Sequence, residues 1–275
     1  MADISLSFEA FGPKNAATIV FLNGGGAGGW MWQPVIQCLQ DYYCLVSDQP
    51  EHGLNRAIAP FSMELAAEKA AELILRHARG GKACVVGLSE GAQVAVQLLA
   101  TAPERVEKAV VSSALVLPIP GMGWAASRAL LAWTYRLSIP PFKNSDWWIR
   151  LNMKYAAGIP FEYYSDFKKD FQEMTESEWT NLIIANQQFR VPVGLEKAEA
   201  PTLILAGKNE YPAMKQSARD LVKALPRASG GFINLGKNST MTKEHNWALT
   251  APELFARTVR AWIEERPLPG EIEAM

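Results

Sequence analysis

The 275-residue chain is 49 % hydrophobic and 20 % charged, and its 27 Lys and Arg nearly balance 28 Asp and Glu, for a formal net charge of −1. That composition suits a globular protein with a large core and leaves no electrostatic footprint for nucleic acid or an anionic membrane. The stretch Met1-Ala2-Asp3-Ile4-Ser5 holds no basic or apolar leader, and no uncharged apolar run approaches the roughly 18 residues of a membrane span, so no membrane association is expected.

In chain order, Ile4 to Ala10 alternates as a half-buried strand does, and Gly12-Pro13-Lys14-Asn15 is a turn. Thr18 to Leu22 is a continuous apolar run, the pattern of a strand covered on both faces, and it ends in Asn23-Gly24-Gly25-Gly26-Ala27-Gly28-Gly29. Trp30 to Gln40 reads as a helix, and Tyr43 to Ser47 as a second buried strand, followed by Asp48-Gln49-Pro50-Glu51-His52-Gly53. Ser62 caps a helix that runs to about Arg79, and Gly80-Gly81 ends it. Lys82 to Leu88 is β-prone, Gly87-Leu88-Ser89-Glu90-Gly91 follows, and then comes a helix-forming run rich in Ala, Gln and Leu. Lys108 to Ser112 is the next strand. This alternation of strand and helix implies a parallel sheet.

From about Leu117 to Pro192 no strand pattern appears. Trp124, Trp133, Trp147, Trp148 and Trp179 fall there, with Tyr135, Tyr155, Tyr163 and Tyr164. The segment reads as a helical insertion whose aromatic rings are mostly core, some of them lining a pocket. The sheet resumes at Pro201 to Gly207, a helix spans about Ala213 to Leu225, and Gly231 to Leu235 is expected to be the last strand. A loop then carries His245, Pro252 to Glu265 closes the fold as a helix, and the tail after Pro267 is expected to fray. Cys38, Cys44 and Cys84 lack metal-ligand spacing and read as small buried hydrophobes, which favours a reducing cytoplasm.

The chemistry centres on Ser89. Gly-x-Ser-x-Gly between a strand and a helix is the pattern of a nucleophile elbow, whose sharp turn lifts the serine hydroxyl above the sheet. A serine hydroxyl needs a general base. Of three histidines, His77 lies late in a charged helix and His52 suits a structural hydrogen bond in its loop, whereas His245 satisfies the chain order Ser…acid…His. The carboxylate that would orient His245 comes from Glu210, Asp220 or Glu244. Asp220 reads as a solvated helix charge and Glu244 is too close to His245 in sequence to reach around its ring. Glu210 follows the carboxyl end of a strand, where such sheets place functional groups. The oxyanion would be met by the backbone N–H groups of Glu90 and Gly25. A rival reading gives the glycine-rich loop to a phosphate or dinucleotide, with Asp48 at about the required spacing of ~20 residues, but the Gly-Lys-Ser/Thr of a phosphate loop is absent.

Phe21-Leu22-Asn23-Gly24-Gly25, Asp48-Gln49-Pro50-Glu51-His52-Gly53, Gly87-Leu88-Ser89-Glu90-Gly91, Pro201 to Gly207 and His245-Asn246-Trp247 together resemble the α/β-hydrolase superfamily with a helical cap. The resemblance implies an α/β fold: a mostly parallel central sheet flanked by helices, with core residues 1–116 and 193–275 and a cap over residues 117–192. It also implies a serine hydrolase acting on a small, mostly apolar ester or related carbonyl compound, with Ser89, His245 and Glu210 catalytic, Gly25 and Glu90 at the oxyanion, and no cofactor. Lactonases, aminopeptidases and C–C bond hydrolases share the superfamily, and a ligand-binding or scaffold protein without turnover is the reading from another class. Three departures stand out: Asn23 replaces the usual His before Gly-Gly, Glu51 replaces the common Gly before His-Gly, and the acid is Glu210 rather than Asp. The Glu90 carboxylate is expected to turn from the oxyanion toward hydrogen-bond donors in neighbouring loops, which favours neutral acyl substrates. The oligomeric state is left open.

Overall fold

The computed structural model describes residues 5–275, the side chains of Trp124 and Ala126 excepted. Ile4, where the first strand was expected to begin, thus lies outside the described residues, as does the Trp124 side chain. The strands are β1 (Phe8–Phe11), β2 (Thr18–Leu22), β3 (Tyr43–Ser47), β4 (Ala83–Leu88), β5 (Val106–Ser112), β6 (Thr202–Gly207), β7 (Ala228–Ile233) and β8 (Ile272–Ala274). They form one sheet in the order β1-β3-β2-β4-β5-β6-β7-β8. The pairs β1–β3 and β7–β8 are antiparallel and the others parallel.

Strand side chains alternate between two apolar layers, as their period of two requires. Val20, Leu22 and Val85 join one layer, with residues of the helices Met63–His77 and Glu90–Thr101. Ile19, Phe21 and Val86 join the other, with Trp32, Trp247 and Phe255. Burial on both faces is why β2, β4 and β6 read as unbroken apolar runs.

The helices used below are α1 (Gln33–Ile36), α2 (Met63–His77), α3 (Glu90–Thr101), α4 (Arg128–Ser138), α5 (Asp146–Leu151), α6 (Tyr164–Glu173), α7 (Glu176–Gln188), α8 (Pro212–Ala224), α9 (Met241–His245), α10 (Trp247–Thr250) and α11 (Pro252–Ile263). Ser62 caps α2 through the Leu65 N–H. Thr175 and Glu178 form a reciprocal capping box at the start of α7. Between β5 and β6 the described chain is helix and loop, from α4 to α7.

Five expectations need correction. The helix from Trp30 to Gln40 is a 3-10 turn (Gly29–Trp32) followed only by the short α1. The strand expected at Gly231 to Leu235 is Ala228–Ile233, because β6 pairs it from Ala228 onward. It is not the last strand, and the tail does not fray: Ile272 is buried against the second apolar layer, and β8 pairs with β7. His245 ends the short helix α9, which Thr240 caps, instead of lying in a loop. Cys38 is exposed, while Cys44 and Cys84 are buried and have thiols that burial pushes up to about 12.

Candidate active site

The loop between β4 and α3 forces a conformation that few residues tolerate. Ser89 sits at φ 55°, ψ −115°, its N–H donating to the Ser112 carbonyl at 2.9 Å. The flanking glycines let the strand and helix meet: a Cβ on Gly87 would strike the Gly91 carbonyl, and one on Gly91 would strike the Leu22 carbonyl. Strain of this kind persists only where the surroundings enforce it, and it is concentrated at functional sites.

His245 Nδ1 lies 2.5 Å from Glu210 Oε1. Glu210 is 3 % exposed, and its second oxygen accepts from the Gly207 N–H at 2.7 Å and from Ser113 Oγ at 3.1 Å. Ser113, at φ 60°, went unnoticed in the sequence. Glu244 is fully buried with a different task. It accepts from the Asn209 N–H (2.6 Å) and side-chain amide (2.8 Å), so it holds the loop that presents Glu210. Asp220 accepts from Gln216 on the same helix, away from His245.

The other histidines lie apart from this cluster. His77 is exposed against Phe8. His52 is buried, its Nδ1 2.9 Å from the Pro50 carbonyl and its Nε2 accepting from the Gly26 N–H at 3.4 Å. Burial lowers its pKa, so it is held neutral.

The glycine-rich loop is fixed from behind. Asn23, fully buried, donates its side-chain amide to the carbonyls of Ala27 and Gly24. An amide thus ties down the loop where an imidazole is usual. Asp48 accepts from the Gly29 and Leu54 N–H groups at 2.7 and 2.8 Å, so its carboxylate is engaged by backbone rather than open to a ribose. Gly25 lines the same cavity as Ser89. The Glu90 N–H opens α3, where the first amides have no intrahelical acceptor.

Ser89 and His245 stand where two chambers meet. One, of about 380 Å³, is walled by Met31, Ile139, Phe167, Phe171, Trp179 and Leu182 and has no Asp, Glu, Lys or Arg in its lining. The other, of about 260 Å³, adds Leu115, Asn186, Tyr211 and Met214. Of the tryptophans and tyrosines singled out in the helical segment, Trp179 lines the chamber, alongside Phe167 and Phe171 of α6. Trp133, Trp147 and Tyr155 are exposed instead.

Residues 19–258 match the Alpha/beta hydrolase family. The chain belongs to that family. An AB hydrolase superfamily protein of Gibberella zeae is 24 % identical to this α/β hydrolase over 280 residues, covering 100 % of this chain and 89 % of the relative. A pimeloyl-(acyl-carrier protein) methyl ester esterase of Vibrio campbellii is 34 % identical over 107 residues, covering 38 % of this chain and 39 % of its own. The enol-lactonase of Burkholderia xenovorans LB400 shares the fold, with a TM-score of 0.71, 18 % identity, and 94 % and 96 % of the two chains covered.

The Glu90 side chain departs from expectation. It lines neither chamber, and it finds no hydrogen-bond donor: it is 1 % exposed and neither carboxyl oxygen has a hydrogen-bond partner among the described residues. Glu51 was noted only as an unusual residue. Its carboxyl accepts from the Phe61 N–H (2.7 Å), Asn181 Nδ2 (2.9 Å) and Ser177 Oγ (2.5 Å), joining the loop after β3 to α7. Among the described residues, no helix is long and apolar enough to cross a membrane.

Proposed function

We propose that this α/β hydrolase is a serine hydrolase of small, mostly apolar carboxylic esters, with residues 117–192 acting as a cap over the serine. One observation carries the reading: His245 Nδ1 is held on Glu210 at 2.5 Å, which leaves Nε2 for the cavity that His245 and the strained Ser89 share.

In this mechanism Ser89 Oγ attacks the ester carbonyl and His245 Nε2 takes its proton. Glu210 fixes the His245 tautomer and stabilises the imidazolium. The Gly25 and Glu90 N–H groups receive the oxyanion. His245 returns the proton to the leaving alcohol, and water then hydrolyses the acyl-enzyme by the same route. The uncharged lining of the larger chamber supports a neutral, apolar group beside the scissile bond. The Vibrio relative is named for ester hydrolysis and the Burkholderia enzyme for lactone hydrolysis, both attack on an ester carbonyl. Free thiols at all three cysteines support residence in the cytoplasm.

The test is labelling with a fluorophosphonate and turnover of a graded series of p-nitrophenyl esters. Ser89→Ala should keep the fold, lose the label and lose about 10³-fold or more in kcat. Full turnover by the pure variant would overturn the reading.

A further inference from the structure

We propose that the Glu90 side chain is a positioning group for the oxyanion loop, bracing Gly25 from behind as an uncharged carboxyl, and that Glu178 on α7 governs how long it stays so. The proposal rests on the serine-hydrolase reading, since only there do the Gly25 and Glu90 N–H groups meet an oxyanion.

The contacts are close. Glu90 Oε2 stands 3.0 Å from where a Cβ on Gly25 would lie, and the Leu182 methyls of α7 lie 3.1 and 3.2 Å from that same point. Glu90 of α3 and Leu182 of α7 thus pack together against the same side of Gly25 and fill the space a side chain there would take. Glu90 Oε1 is 3.8 Å from His52 Nε2, but that nitrogen cannot donate. The Pro50 carbonyl can only accept, so the proton of neutral His52 is on Nδ1 and Nε2 is the acceptor for the Gly26 N–H.

The charges around the site are mostly negative. Glu178 faces Glu90 from α7, with Glu51 and Asp170 adding to the negative field on Glu178, while Asp48 and Glu51 act on His52. Arg56 is the cation near them. Its Nε lies 3.6 Å from Glu178, and its Nη1 donates to Glu173 at 3.2 Å. An ionised Glu90 would thus be a buried charge with no donor and an acidic neighbour; retaining the proton removes the repulsion and leaves the much smaller cost of a buried neutral carboxyl. Burial first, then Glu178, pushes the Glu90 carboxyl well above its ordinary 4.5, and burial pushes Glu178 up to about 7 against the pull of Arg56.

Two consequences follow for the reaction. A neutral Glu90 adds no fixed negative charge beside the developing oxyanion, whereas an ionised one would oppose it at short range. Ionisation of both carboxyls would also drive α3 and α7 apart, and α7 carries the chamber residues Trp179 and Leu182. The loss should fall on kcat more than on KM, because the oxyanion exists only on the way through the transition state.

The experiment is a pH profile from about pH 5 to about pH 10 on a neutral p-nitrophenyl ester. It uses wild type, Glu178→Gln and Glu90→Gln, with fluorophosphonate labelling at each pH. Infrared difference spectra, wild type minus Glu90→Gln, read the protonated-carboxyl band independently of turnover. The expected result is a kcat that rises as His245 loses its proton and then falls about tenfold or more on the alkaline side. That fall should shift downward by about one pH unit in Glu178→Gln, which removes the negative charge that holds the proton on Glu90, and be abolished in Glu90→Gln. A flat alkaline limb in wild type, an unmoved limb in Glu178→Gln, or absence of the carboxyl band near neutral pH would overturn the proposal. Absence of labelling at every pH would instead overturn the serine-hydrolase reading, with the infrared band still reporting on Glu90.

Discussion

Glu51 offers a sharp test of what joins α7 to the sheet. The residue sits at φ 64°, where glycine is at ease and glutamate is strained, yet it is 3 % exposed and receives hydrogen bonds from Phe61, Ser177 and Asn181. Glu51→Gly removes the strain, a gain of about 1 kcal/mol. It also leaves three donors without their acceptor at about 1–2 kcal/mol each, part of which water recovers. The losses outweigh the gain by about 2–3 kcal/mol, which for a chain of this size lowers Tm by roughly 5–10 °C. Calorimetry or circular dichroism measures this directly. Glu51→Gln, which keeps the strain and one acceptor oxygen, should fall between the two. Because α7 supplies Trp179 and Leu182 to the chamber, Glu51→Gly should also raise KM for apolar esters more than it lowers kcat. A Glu51→Gly protein as stable as wild type would show that the three hydrogen bonds give no net stability and that the reasoning is wrong.

Three further outcomes follow. Glu210→Gln should keep the fold and lose about 10²-fold or more in kcat by favouring the wrong His245 tautomer, whereas Glu244→Gln should act mainly through stability, read as a lowered Tm; the reverse pattern would reassign the acid. Gly91→Ala drives a methyl into the Leu22 carbonyl and should destabilise by about 1–3 kcal/mol in denaturant titrations, an effect that an exposed helical glycine would not show. Glu90 and Glu178 keep in the fold protons that the unfolded chain releases near 4.5, so their contribution is complete below that pH and is lost as pH rises through the folded values, about 7 for Glu178. The Tm of Glu178→Gln relative to wild type should therefore rise between about pH 5 and about pH 8, and a constant difference would refute this linkage.

Much of the fold was legible because the parallel strands carry their evidence locally. Thr18–Leu22 and Tyr43–Ser47 are buried at every residue, since helices cover both faces, and they appear where the pattern placed them. The edges were harder to read. β8 is three residues long, and what pins it is the register of Gly231–Ile233 opposite Ile272–Ala274 and the burial of Ile272, both set by chain far away in sequence. The cap of α9 by Thr240 was likewise obscured, because five helical residues are too few to show a period.

The site divides along the same line. Ser89 announces itself because the elbow needs two glycines at fixed spacing, and their clash partners, the carbonyls of Gly91 and Leu22, show why. Glu210 was reachable by elimination, since chain order and the end of a strand leave few carboxylates. Local pattern could not show that two neighbouring glutamates have divided the work. Glu244 holds the Asn209 loop, while Glu210 spends one oxygen on Gly207 and Ser113 and keeps the other for His245. The same limit applies at Glu51 and Glu90. Each looks like an ordinary loop or helix-start acid, and only the packing of α7 onto the loops after β2 and β3 shows that one has three donors and the other none. Whether a buried carboxyl is an anchor or a proton store is thus decided by partners more than 80 residues away, a relation that sequence spacing does not encode.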